Sequence, residues 1–191
     1  RLFTPTSIFR KIFLLKSING RAEKNTIRAL GIDPGLGTLG YGVVSQHGDM
    51  LICETYGVIK TPTDLSLTQR LSLLYNEIKK KADEFPPDIV AVEKLFFGRN
   101  ITTAEMVWQA RGVILLLIAQ MGLEPYELKP SEVKMAVCGY EAAEKGQVQG
   151  MVANMLGLKK RPSPDDAADA LAIAIAGLSM NSYDRNIMKG Y

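Results

Sequence analysis

The sequence predicts an α/β fold in which a mixed five-stranded sheet is flanked by helices. Three successive strand-like runs joined by short turns fill residues 27–61, the pattern of an antiparallel meander. After them, brief apolar runs alternate with segments of helical spacing, so helices should cover the faces of the sheet. The order is βββαβαβααα, and 191 residues are enough for one sizeable core.

IRALGID (27–33) is the first strand, an apolar run closed by Asp33 and the turn residues Pro34 and Gly35. GYGVVSQ (40–46) and MLICETYGVIKT (50–61) follow, and the HGD between them is short enough for a hairpin. Leu67, Leu71, Leu74 and Ile78 then recur at helical spacing, with Lys79 to Lys81 at the end where cations complement the helix dipole. DIVAVE (88–93) is too brief for a helix and reads as the fourth strand. A long, mostly buried helix over TTAEMVWQARGVILLLIAQMG (102–122) precedes a fifth strand, EPYELK (124–129). Three helices close the domain. PSEVKMAV (130–137) has Pro130 early, EKGQVQGMVANMLG (144–157) is stopped by Gly157, and SPDDAADALAIAIAGL (163–178) has Ser163 as its N-cap and Pro164 in the first turn.

Residues 1–28 form a basic N-terminal extension, 29–180 the folded domain and 181–191 a tail. The extension carries seven Lys/Arg and one acid; residues 29–191 carry 16 basic and 19 acidic side chains. The folded part is therefore not basic in bulk, and any nucleic-acid contact must come from local patches. No run of about 18 apolar residues occurs, which predicts a soluble protein with no membrane partner. Cys53 and Cys138 lack metal-ligand spacing and read as free, buried thiols. The single histidine, His47, falls in a turn, which leaves little room for a Ser-His-Asp or Cys-His mechanism.

Four acids carry the functional signal: Asp33 and Glu93 at strand ends, and Asp166 and Asp169 on one turn of the last helix. Converged, they would repel one another unless divalent cations lay between them. An all-carboxylate set prefers Mg²⁺ or Mn²⁺, and two such ions suit phosphodiester hydrolysis, with Asp33 the natural bridging ligand. Each acid alone also has a structural explanation. Asp33 fits a tight turn, Glu93 could be the first exposed residue after its strand, and Asp166 fits an S-x-x-D cap with Ser163. Capping explains Asp169 less well, because it sits among alanines on a helix that must bury most of its surface. Asp165, four residues before Asp169, could also face the site. Gly35, Gly37, Gly40 and Gly42 near Asp33 read as a loop that lets a large anionic ligand approach. The aromatic and cationic residues of LFFGRN, next to Glu93, suit unstacked bases and phosphates, and Lys134 and Lys145 could hold more of such a substrate.

The blocks GIDPG, AVEKLFFGRN, QARG, EKGQVQGMV and DDAADALAIAI, in this order between Leu30 and Leu178, resemble the RuvC family of bacterial Holliday-junction resolvases. The resemblance implies a ribonuclease-H-like nuclease domain and a homodimer that cuts four-way DNA junctions by symmetric nicks. It further implies Mg²⁺ as cofactor, with Mn²⁺ able to substitute and two ions per site, and RuvA and RuvB as branch-migration partners. By position the catalytic and metal-binding acids fall on Asp33, Glu93, Asp166 and Asp169, which selects Asp166 over Asp165. The base-stacking aromatic falls on Phe96, the functional lysines on Lys134 and Lys145, and further DNA contacts on Arg99, Asn100 and Arg111. Some family members carry histidine where Asp166 stands, so a base role there is open beside a ligating one. A bacterial, cytoplasmic, nucleoid-associated protein is implied, with organelle targeting through the basic extension as the open alternative.

Three other readings compete. One is a ribonuclease-H-like nuclease acting on RNA or R-loops. GIDPGLGTLGYG also resembles the phosphate loop of sugar kinases and actin, although those proteins are much longer. A non-catalytic junction-binding module is the third, and it would not require all four acids.

Overall fold

The computed structural model of the chain describes residues 26–94 and 101–189, with the side chains of 101–104 and 188–189 left aside. Five strands, β1 (Thr26–Asp33), β2 (Thr38–His47), β3 (Met50–Lys60), β4 (Ile89–Glu93) and β5 (Pro125–Leu128), form one sheet in the order β3-β2-β1-β4-β5. The β3-β2-β1 half is antiparallel and the β1-β4-β5 half parallel. Among the described residues there are five helices: α1 (Leu67–Glu84), α2 (Ile101–Gln120), α3 (Pro130–Cys138), α4 (Lys145–Met155) and α5 (Asp165–Lys189). The mixed sheet and the element order are those the sequence predicts.

The period of two along the central strands sorts their side chains between two cores. Leu30, Ile32, Val90 and Val92 point to one face and pack with α1 and α2. Ala29, Ile89 and Ala91 point to the other and pack with α3, α4 and α5. Both faces of β1 and β4 are thus covered, which is why these strands read as unbroken apolar runs. Gly48, at φ +59, opens the two-residue turn between β2 and β3.

Helix α5 lies closer to the sheet than ordinary side chains would permit. A Cβ on Gly31 would stand 2.1 Å from the Ala170 carbonyl oxygen, one on Gly40 2.0 Å from that of Asp166, and one on Gly42 2.9 Å from the Leu171 amide nitrogen. Gly31 and Gly42 are register partners across β1 and β2, and Gly40 pairs with Asp33. Together they form a flat seat, and the alanines at 167, 168, 170, 172, 174 and 176 let the helix settle into the core. Gly40 and Gly42 therefore serve helix packing, not the ligand approach the sequence suggested for them.

Several boundaries differ from expectation. β1 begins at Thr26, inside the expected extension, because Thr26 Oγ1 bonds His47 Nδ1 at 2.8 Å and the Arg28 amide donates to Asp88 at 3.0 Å. α5 runs through the expected tail to Lys189, with Tyr126 on β5 donating to Asp184 at 3.1 Å. The Pro164 carbonyl, not Ser163, accepts the first helical bonds, from Ala167 at 3.1 Å and Ala168 at 3.2 Å. Leu67 stands exposed, while Leu74, Ile78 and Ala82 form the buried stripe of α1.

Replacing Gly31 by alanine should lower stability by about 2 kcal/mol or more, the cost of forcing volume into a filled core. Chemical denaturation measures this; a loss below about 0.5 kcal/mol would show that the helix can lift without penalty.

Candidate metal centre and active site

Ile32 pairs with Val92 in the parallel register, so the next residues, Asp33 and Glu93, end neighbouring strands side by side. Carboxyl ends of parallel strands are where open α/β sheets gather their sites. The Gly40 seat then brings the N-terminal end of α5, with Asp166 and Asp169, over that end. Asp33 is pushed up to about 7, first by burial, then by the charges of Glu93, Asp169 and Asp166, and by its hydrogen bond to Glu93. Glu93 is also raised, by burial and by Asp169, while the bond from Asp33 and the charge of Lys145 oppose the rise. Both carboxyls are thus raised by burial and by the acids gathered beside them.

Lys145, the first residue of α4, places its ammonium 3.0 Å from Asp169 and 3.2 Å from Asp165. Gln149, one turn along α4, donates to Asp165 at 2.9 Å. Glu93, Asp169, Lys145, Lys134, Val133 and Ile173 are among the residues lining a cleft of about 210 Å³ at the mouth of this cluster. The sequence-predicted acids and both lysines are thus gathered at one end of the sheet.

Among the described residues, no three His, Cys, Asp or Glu side chains converge closely enough to hold one ion as they stand. Asp169 leans on Lys145, and Asp33 on Glu93. The chemistry of the set nevertheless fits a hard divalent cation. Its donors are all carboxylate oxygens, and their mutual repulsion, visible in the raised Asp33, is what such an ion relieves.

The other expected site residues fare differently. Arg111 pairs with Glu127 on β5 and lies over the Trp108 ring, 5.4 Å from its centroid, with its side chain only 11% exposed. That geometry makes it a strut between α2 and β5. Phe96, Arg99 and Asn100 lie outside the described residues. His47 ends β2, and Cys53 and Cys138 are free and half-buried. Gln149 and the pairing of Asp165 escaped the sequence reading. Their signal was the matched four-residue spacing of Lys145 with Gln149 and of Asp165 with Asp169.

The raised Asp33 has a consequence for stability. Its ordinary value is 3.8, so between pH 3.8 and about 7 the folded protein holds a proton that the unfolded chain releases. Stability must fall as pH rises through that window. With EDTA present, Asp33→Asn should raise the melting temperature at pH 8 by roughly 3–6 °C, and by much less near pH 4. A gain of equal size at both pH values would count against this coupling.

The chain matches the family model described as crossover junction endodeoxyribonuclease RuvC over residues 29–177. It is 52% identical over 149 residues to the crossover junction endodeoxyribonuclease RuvC of Chloroflexus aggregans, covering 78% of this chain and 91% of that protein. The RuvC of Desulfitobacterium hafniense is also 52% identical, over 146 residues, covering 76% of this chain and 88% of that protein. Among solved structures, RuvC of Thermus thermophilus superposes with a TM-score of 0.78 at 34% identity, covering 83% of this chain and 97% of that one. A second structure of T. thermophilus RuvC, in complex with Holliday junction substrate, gives 0.76 at 32% identity, with 82% and 96% covered. The fold is accordingly ribonuclease-H-like. With the acids at the predicted strand ends and helix turn, and with relatives of this identity across most of both chains, the protein belongs to the RuvC family of metal-dependent crossover junction endodeoxyribonucleases.

Proposed function

We propose that this chain resolves four-way DNA junctions in recombination and repair, cutting two like strands by paired symmetric nicks. The observation that carries the reading is the gathering of Asp33, Glu93, Asp166 and Asp169 around one strand end, with Lys134 and Lys145 on the cleft beside them. The acids hold Mg²⁺, with Mn²⁺ able to substitute. Two bound ions would supply an activated water and charge stabilisation at the leaving oxygen. The protein's own part is to bind and aim. Lys134 and Lys145 hold the phosphodiester against the acids, while the apolar cleft wall of Val133 and Ile173 limits water. Phe96 is the stacking residue for an unpaired base, and RuvA and RuvB are the partners the family implies.

Paired nicks need two sites, and α2 offers a face on which two copies could meet. Gly112, Leu116 and Ala119 are exposed at i, i+4 and i+7, with Leu116 56% accessible and open space around Gly112. An apolar stripe with a glycine lets helices approach closely. This face supports a homodimer through α2.

A labelled junction, a duplex and an RNA–DNA hybrid incubated with Mg²⁺ or EDTA test the activity. Symmetric nicks in the junction alone, abolished by EDTA, are expected; cleavage of the hybrid alone, or ATP turnover, would overturn the reading. Asp33→Asn should reduce cutting by roughly a thousandfold or more, the worth of a lost metal contact, with junction binding retained. Leu116→Arg should shift the protein to monomer in sedimentation and replace paired cuts by single ones. An unaltered dimer would exclude α2 as the interface.

A further inference from the structure

We propose that Asp165 is a positioning residue: it gives the Lys145 ammonium a second anchor, so that Asp169 can pass to a divalent cation while Lys145 stays in the cleft. This inference rests on the metal-site reading above and assigns a role to an acid outside the ligand set.

The first turns of two helices face each other here. On α4 stand Lys145 and Gln149, one turn apart, and on α5 stand Asp165 and Asp169, also one turn apart. The ammonium lies 3.0 Å from Asp169 and 3.2 Å from Asp165, nearly midway between them. Asp165 is held by a second bond, from Gln149 Nε2 to its other carboxylate oxygen at 2.9 Å. Asp165 thus has one oxygen for the lysine and one for its brace, whereas Asp169 lies beside Glu93 on the cleft wall.

Lys145 already compensates Asp169 in the place a metal must claim. A divalent cation binding Asp169 has to replace that ammonium, and two cations on one carboxylate repel each other. A lysine ammonium sits on a flexible four-carbon stem, so once released with no second partner it would leave for solvent or return to compete. Asp165 supplies the partner. Its side chain is 67% exposed, so remaining charged is inexpensive, and Gln149 fixes its direction. Held there, the ammonium remains beside the cleft, within reach of a phosphate that enters it.

The test is a calorimetric titration of the metal-stripped full-length protein with Mn²⁺. Lys145→Met should tighten Mn²⁺ binding about two- to fivefold, the worth of an exposed ion pair. Asp165→Asn should weaken it by a similar factor, because Lys145 then leans on Asp169 alone, and Asp165→Glu should restore it. In the Lys145→Met background, Asp165→Asn should have no effect. Equal weakening in both backgrounds would make Asp165 only a distant negative charge and overturn the proposal, as would an Asp165→Asn protein that binds Mn²⁺ like wild type. Melting curves in EDTA confirm that each variant folds. Asp33→Asn serves as the reference: if it leaves Mn²⁺ binding intact, the metal-site reading fails, and the proposal with it.

Discussion

Backbone contact between helix α5 and the glycine seat of β1 and β2 is the constraint on which the rest of the structure depends. With any side chain at Gly31 or Gly40, the helix would have to rise off the sheet, since a Cβ would already stand 2.0–2.1 Å from helix carbonyl oxygens. Its N-terminal end would rise with it, carrying Asp166 and Asp169 away from Asp33 and Glu93. The alanines on α5 and the glycines beneath them therefore form one device, stated twice in the sequence. A second contact of the same kind, Gly177 against Ala91 with a Cβ distance of 2.7 Å, holds the helix down over β4 as well. Packing to this density resists compression or adjustment, so it transmits position well. The site inherits its geometry from the core.

That geometry sets an electrostatic problem at the same place. Burial and three neighbouring acids raise Asp33 to about 7, and the protein meets the repulsion with a proton on one side and an ammonium on the other. Asp33 and Glu93 lie side by side with raised values, and Lys145 straddles Asp169 and Asp165. Such compensation is inexpensive to exchange. A proton held at about 7 leaves readily near neutrality, and an ammonium more than half exposed gains little net stability from its pairs. Compensation of this kind could give way to the divalent cations proposed above without disturbing the packed core.

Much of this was legible from the residues. The strand and helix order followed from periodicity, because β1 and β4 are covered on both faces and α1 on one. The gathering of the four acids was foreseeable because strand ends and a helix turn are positions a sheet brings together. Their spatial relation was not legible, since the sequence gap between Asp33 and Glu93 conceals a register of adjacent strands. The glycines misled. Gly40 and Gly42 stand near a candidate acid, where ligand approach is one explanation, and only the tertiary contact reveals a helix on top of them. Arg111, in one of the blocks that mark the family, is paired with Glu127 and lies over Trp108, contacts the sequence reading did not foresee.

The proposed dimer face and the proposed metal site both rest on the core that α2 packs against. That helix starts at Ile101, eight residues after β4 ends at Glu93, so the chain leading away from one of the clustered acids enters the helix on which two copies would meet. Its inner face is fixed by Ala110, Ile114, Leu117 and Ile118, which share a core with Ile32 and Val92, the residues immediately before Asp33 and Glu93. The inner face of α2 and the residues just before the two strand-end acids are thus parts of one packed core. Two copies joined at Leu116 would then hold their acid clusters at a separation set by core packing, not by a loop. Coordinated cutting of two strands requires such a fixed distance, because the second phosphate must be in place when the first is cut.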